Sequence, residues 1–369
     1  MNLLGLSGRK QRTPESVALK AKEALSALAV EEEEKPIQRA EEELSKQVHC
    51  MKATLCGDSA GKAQRASGGP TTLVEELVLK EVIADFCTKL ALVDFEARKD
   101  LVTVFGAILR HESSHEKKDS SSEPAFPATE FLRTRPKLLE HLIEEYENAD
   151  TALNAGAMLR EAFRHESLAE LVIFSPYFSN FFRYIELPSF EVASDAFTTF
   201  KEALTRNKHL ASRFLNERHD DFFSSYNRLL RSENYVTRRQ SVKLLGELLL
   251  DKANHAAMLR YIADVHNLQL VMNLLKDSSR SIEFEAFHIF KVFVANPHKP
   301  KEVHHILMKN KDKLLRYLDD FQNDRDDQQF TEEKAAVTRF LGDLQPMESN
   351  STVNNDSSTA STSNGNALE

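Results

Sequence analysis

Apolar residues recur along this chain at intervals of three and four and almost never alternate with polar ones. That period places them on one face of a helix rather than one face of a strand. The stretch Ser232–Leu250 is the clearest case. At about 100° per residue, Val242, Leu244, Leu245, Leu248 and Leu249 share one side. Ser241 falls among them, a small residue that lets a neighbouring helix come close. Arg239, Lys243, Gly246 and Glu247 share the other side, which predicts a basic stripe with a bare glycine patch. The polar run Ser232–Asn234 suits a helix start.

The same reading sets out the remaining elements. Thr13 and Pro14 are a capping hydroxyl and a proline at the first helical position, so a first helix runs to about Val30. A second opens at Pro36 and reaches about Leu55. Residues 57–70 are expected to be a loop. Further helices follow over Thr72–Leu92 and Phe95–Arg110, and then a mobile polar insertion over 111–127. From Thr129 onward helices follow one another with short polar breaks, such as Arg206–His209, Asp277–Ser281 and Asn296–Lys301. Residues 1–12 are expected to be a disordered N-terminus. Residues 346–369, rich in Ser, Thr and Asn, have too few apolar groups to offset their ordering entropy and are expected to be a disordered tail.

These helices repeat. Ala196, Phe197, Phe200 and Leu204 form one apolar stripe. A step of 45 residues gives Ser241, Val242, Leu245 and Leu249, and a second such step gives Ala286, Phe287, Phe290 and Val294. A step of 41 in the other direction gives Ala155, Gly156, Leu159 and Phe163, a weaker copy, and Phe105 and Leu109 fit a still earlier one. A helical repeat of about 40–47 residues predicts an all-α, armadillo/HEAT-like solenoid spanning residues 13–345.

Composition narrows the function. The 369 residues carry a net charge of −9, which argues against nucleic acid as the main ligand. No apolar run approaches the roughly 20 residues needed to cross a bilayer, and no secretory signal is visible. Only Cys50, Cys56 and Cys87 are present, which suits a reducing cytoplasm without a disulfide framework. Phenylalanine is abundant, at 23 residues, and tryptophan is absent. The cluster Phe174, Phe178, Phe181 and Phe182 reads first as packing between repeats and second as a binding patch.

Candidate catalytic and metal motifs fail on context. Gly57–Gly61 matches G-x-S-x-G, with Ser59 as nucleophile, but that elbow needs a strand before it and a sheet beneath it. Cys50 and Cys56, near His49, have five residues between them and no second pair, which is not a zinc spacing. The acidic run Asp319–Asp327 lacks the central glycine of a calcium loop and is interrupted by Arg325, so it reads as the polar end of a helix. His288, His304 and His305 fall within helical patterns. The expectation is a non-enzymatic chain without cofactor or metal.

Two long stretches carry a resemblance. One is Tyr235–Asp251, Tyr-Val-Thr-Arg-Arg-Gln-Ser-Val-Lys-Leu-Leu-Gly-Glu-Leu-Leu-Leu-Asp. The other is Phe284–Pro297, Phe-Glu-Ala-Phe-His-Ile-Phe-Lys-Val-Phe-Val-Ala-Asn-Pro. With Val93–Glu96, Phe182–Tyr184, Ala193–Phe197 and Phe321–Arg325 in support, the chain resembles the calcium-binding-protein-39 family, also called mouse protein 25. The resemblance covers most of residues 13–345. It implies a non-catalytic, armadillo-like scaffold, monomeric on its own, that binds germinal-centre-type protein kinases and related pseudokinases. Such a scaffold braces the kinase's regulatory helix and docks a Trp-Glu-Phe peptide from its partner's tail. Carried onto this chain, the peptide pocket involves Tyr235, Arg239, Lys243 and Met272, with Lys309 nearby, and the kinase-domain contact involves Lys252 and His255. The sequence departs from the family at three of these places. Lys252 and His255 replace an arginine and a phenylalanine, and Gln269 replaces a pocket-edge lysine. The alternative implied by those departures is an adaptor that tethers peptide tails without activating a kinase.

Overall fold

A computed structural model describes residues 12–57, 65–115 and 127–346, apart from the side chains of 112–115 and 127. Among the described residues every regular element is helical. Helix α1 (Pro14–Val30) begins as expected: the Thr13 hydroxyl accepts the Ser16 amide at 3.2 Å. Helix α2 (Glu34–Cys56) starts slightly before Pro36 and ends at Gly57, whose φ of 73° lies in the left-handed region open to glycine.

The next segment departs from expectation. In place of one helix over 72–92 there are α3 (Gly69–Leu79), α4 (Val82–Thr88) and a 3-10 turn at Leu90–Leu92. Glu81 takes a left-handed φ of 56°, so the chain turns there and Val82, Ile83, Phe86 and Leu90 point into the core. Because α3 begins at Gly69, the expected loop is also shorter than 57–70. Its end is tied down by Ala66 N donating to Thr54 Oγ1 at 2.9 Å and by Ser67 N donating to the Arg12 carbonyl at 2.9 Å. Helix α5 (Phe95–His115) runs through the first residues of the expected insertion, so 111–115 are helical. Ser59, residues 116–126, residues 1–11 and the tail from 347 lie outside the described residues.

From there the helices are α6 (Pro127–Arg133), α7 (Lys137–Glu144), α8 (Ala152–Ala162) and α9 (Glu166–Ile173), then α10 (Phe181–Tyr184), α11 (Phe190–Thr205), α12 (Lys208–Glu217) and α13 (His219–Leu229). They continue as α14 (Tyr235–Leu250), α15 (His255–Ala263), α16 (Val265–Leu274), α17 (Arg280–Ala295), α18 (Lys301–Asp320) and α19 (Gln328–Gly342). One ladder organises them: α2 packs on α5, α5 on α8, α8 on α11, α11 on α14, α14 on α17 and α17 on α19. The repeated stripes are its rungs. Leu159, Phe163, Phe200, Leu204, Leu245, Leu249, Phe290 and Val294 are all buried. The chain is therefore an all-α solenoid of armadillo/HEAT-like type, in which each layer buries its apolar face against the next.

The period also appears in the hydrogen bonds between layers. Asn207 Nδ2 donates to the Phe163 carbonyl at 3.1 Å, Ser212 Oγ to the Ala253 carbonyl at 2.6 Å and Gln322 Nε2 to the Arg280 carbonyl at 2.8 Å. The phenylalanine cluster packs between layers, as expected. The Phe178 ring stacks on Phe200 at 5.5 Å and meets Phe214 edge-on at 5.4 Å, and Phe182 meets Phe222 at 5.8 Å. One expectation for α14 is corrected. Gly246 is not a bare patch: it is buried, and a Cβ there would stand 3.8 Å from Ile289 Cγ1 of α17.

A candidate partner-binding surface on the C-terminal layers

Helix α14 builds the surface from its first turn. Asn234 caps it, its Oδ1 accepting the amides of Val236 at 2.9 Å and Thr237 at 3.3 Å. The two arginines that follow take opposite roles. Arg238 turns inward, donating Nε to Asp277 Oδ2 at 3.0 Å and Nη1 to the Ser232 carbonyl. Arg239 is exposed and, among the described residues, has no carboxylate oxygen within 4.0 Å. Tyr235, Arg239, Lys243 and Glu247 follow at helical spacing and form one exposed stripe. Glu247 closes it with an ion pair to Lys201 of α11 at 2.7 Å.

The stripe faces α17. Glu285 has its pKa raised by burial, against which the positive charges of Lys243 and Arg239 act. Arg239 and Glu285 also line a polar cavity of about 350 Å³ with Arg280, Phe284, Gln322 and Arg325.

The expected peptide-pocket residues come from three helices, α14, α16 and α18. Met272 lies on α16, half-buried against the core, with Gln269 exposed one turn earlier on the same helix. Lys309 is exposed on α18. Helix α16 packs on α17 and α18, and the Tyr317 hydroxyl of α18 donates to the Leu275 carbonyl at the end of α16. Met272 and Lys309 thus belong to the α16–α18 pair, and Tyr235, Arg239 and Lys243 to the α14–α17 pair.

Lys252 and His255 stand together at the far end of α14. Lys252 opens a 3-10 turn, where Asp251 accepts the Ala253 amide at 3.0 Å, and His255 begins α15. Both are exposed. His255 lines an apolar groove of about 430 Å³ with Leu250, Leu259, Val292, Pro297 and Phe340. Sequence reasoning missed this groove. Its only trace in the sequence is apolar residues at helix ends, and Leu250, Leu259 and Phe340 are indeed 50%, 42% and 44% exposed.

The remaining candidates are dispersed. Cys50 and Cys87 are buried and Cys56 is exposed, and burial pushes the Cys87 thiol up. His288 is half-buried beside Glu333, with Nδ1 3.4 Å from Oε2, and His304 and His305 lie on α18. Among the described residues no group of three or more His, Cys, Asp or Glu could hold a metal ion, and no helix is long and apolar enough to cross a membrane.

Comparison with known proteins places the chain among relatives. A family model described as Mo25-like matches residues 5–345. The chain is 42% identical over 345 residues to the human protein named calcium-binding protein 39-like, covering 93% of this chain and 98% of that one. It is 47% identical over 305 residues to the degreening-related gene dee76 protein of Auxenochlorella protothecoides, covering 82% of this chain and 91% of that one. The Mo25-like protein of Schizosaccharomyces pombe is 40% identical over 303 residues, covering 81% and 88%. Among solved structures, a designed armadillo repeat protein is similar over 74% of this chain and 99% of its own, at 12% identity and a TM-score of 0.38.

Proposed function

This chain belongs to the Mo25-like family, and on that premise we propose that it is a cytoplasmic, non-catalytic scaffold that binds a germinal-centre-type protein kinase or pseudokinase. Two contacts divide the work. The tail pocket, with Tyr235, Arg239, Lys243, Met272 and nearby Lys309, takes the aromatic side chains of a Trp-Glu-Phe tail. Methionine adapts its shape to aromatic rings, and lysine supplies the counter-charge. Arg239 and Lys243 supply cations for that tail's acidic residue and terminal carboxylate. Lys252 and His255, beside their apolar groove, meet the kinase domain.

The observation that carries this reading is the exposed arginine of the stripe. Arg238 is consumed by the fold, whereas its neighbour Arg239 is left with its donors facing outward. An arginine held on a rigid helix with unused donors suits a carboxylate partner. The test is a titration of the full chain with a fluorescent peptide ending in Trp-Glu-Phe. Met272→Ala and Arg239→Glu are each expected to weaken binding by about tenfold or more, with unchanged circular dichroism. Wild-type affinity in either variant would remove the pocket assignment.

His255 favours a second reading, an adaptor that tethers without activating. An imidazole stands where the family resemblance implies a phenylalanine, and it does so at the edge of an apolar groove. A kinase assay with the purified partner separates the two. Tail binding with an unchanged catalytic rate favours the adaptor, and a raised rate favours the activator.

A further inference from the structure

We infer that the cavity between the start of α17, the N-terminal part of α14 and the α18–α19 connection is a binding site for a phosphorylated side chain, phosphothreonine or phosphoserine, on a partner protein. Three guanidiniums line it, each from a different element: Arg239 from α14, Arg280 from the first turn of α17 and Arg325 from the connection. A carboxylate is satisfied by one guanidinium fork. Two forks that no described carboxylate occupies, those of Arg239 and Arg325, beside the third guanidinium of Arg280 suit a tetrahedral dianion with three terminal oxygens. The cavity also includes Ser281 in the first turn of α17, a 16-residue helix whose cap residue, Ser279, makes no side-chain bond to that turn. The amides of a first turn and the positive end of a helix both favour an anion.

Two of the three arginines are already held in place. The Arg325 guanidinium lies 3.5 Å from the Phe284 ring centroid, and Arg280 forks onto Asp324, with Nη1 2.9 Å from Oδ2. Arg239 and Arg325 have no carboxylate oxygen within 4.0 Å among the described residues. Pre-set donors reduce the ordering cost of binding. The turn that delivers Asp324 and Arg325 runs through Gln322, whose φ of 48° is left-handed for a residue with a side chain. Such a backbone is unfavourable and persists only where its surroundings impose it. Here the buried Gln322 amide holds it by donating to the Arg280 carbonyl at 2.8 Å.

The cavity also contains two carboxylates, and each has an account. Asp324 is committed to Arg280. Glu285 is half-buried, and burial raises its pKa. Of the two it is the more ready to take a proton when an anion arrives, and it would then donate a hydrogen bond to a phosphoryl oxygen.

This inference shares only Arg239 with the scaffold reading, and its test adds probes that separate the two. The full-length chain, immobilised, is offered a degenerate peptide library with a fixed phosphothreonine, the same library unphosphorylated, a Trp-Glu-Phe peptide and inorganic phosphate as competitor. Preferred retention of the phosphorylated library by about tenfold or more is expected. Arg239→Ala and Arg325→Ala should each abolish that preference, Arg239→Lys should recover only part of it, and Arg228→Ala, which lies outside the cavity, should leave it intact. Inorganic phosphate should compete only at much higher concentration than the phosphopeptide. Equal retention of the two libraries overturns the proposal, as does a preference that survives in both alanine variants. Inorganic phosphate that competes as well as phosphopeptide also overturns it, by making the occupant a free anion. Binding of the Trp-Glu-Phe peptide alone would leave the scaffold reading standing and this one refuted.

Discussion

At Gly156 only a hydrogen atom fits. A Cβ there would stand 2.1 Å from Asp195 Oδ2 and 2.2 Å from Tyr146 Oη. Those two atoms belong to a polar node inside the ladder. Tyr146 Oη donates to Asp195 Oδ2 at 2.6 Å, and Arg160 forks onto both carboxylate oxygens at 2.9 and 3.0 Å. Burial is the largest cause holding the tyrosine pKa well above its usual value, with the Asp195 charge second. In the repeat pattern the positions equivalent to Gly156 hold Phe197, Val242 and Phe287, all larger. The weak match of that copy thus has a physical cause: the node occupies the volume that an apolar side chain fills in other layers. The gap in the pattern could be read from sequence. Its occupant could not, because Tyr146 and Asp195 meet from helices 49 residues apart. Gly156→Ala must displace an ion pair that is already satisfied. A loss of about 2–4 kcal/mol is expected, read as a lower urea midpoint at constant slope. An unchanged midpoint would mean that the node moves aside freely.

Helices announced their starts better than their breaks. Thr13 with Pro14, and Asn234, are capping residues whose chemistry acts locally, and the side chains of Thr13 and Asn234 bond the amides that local chemistry predicts. The break at Glu81 has no such marker, since glutamate in a left-handed conformation is imposed by the packing of Val82, Ile83 and Phe86 rather than by its own preference. The two faces of α14 were legible only in part for a related reason. A helix inside a stacked solenoid is covered on more than one side, so Gly246 contacts α17 although it falls on the polar side of the stripe. The cap of α14 matters for function because it sets the helix end that presents Tyr235 and Arg239. Asn234→Ala leaves the Val236 and Thr237 amides without their acceptor and should cost about 1 kcal/mol. Asn234→Asp should retain stability, adding negative charge at a helix start. Paired thermal melts check this, and an alanine variant that melts with the wild type would show that the cap contributes nothing.

A stacked solenoid has two ends, and each must close a core that the next layer would otherwise cover. Among the described residues the C-terminal closure is α19. Its Phe330 packs against Phe284 at 5.4 Å and Phe287 at 5.2 Å, and Phe321 joins the cluster at 5.8 Å. The groove beside His255 and the arginine cavity both draw residues from these last layers. That is why the basic stripe, written on one helix, was legible in the sequence, whereas cavities assembled from several elements were not. The closure also contains a titratable latch. Glu333 of α19 pairs with Lys291 of α17 at 2.6 Å, and His288 of α17 stands beside the same carboxylate. Burial, then the Lys291 and Arg325 charges, depress the His288 pKa below its usual value near 6.5, against the opposing pull of Glu333 and Asp327. The folded chain therefore binds fewer protons at this site than the unfolded chain. Its contribution to stability is fully present above about pH 6.5 and is lost as pH falls through the depressed folded value. Wild type should thus lose more of its unfolding midpoint between about pH 7 and pH 5 than His288→Gln, whose side chain does not titrate. Identical pH slopes in the two proteins would mean that His288 titrates alike in both states, and that the α17–α19 closure is held by its phenylalanines and by the Lys291–Glu333 pair alone.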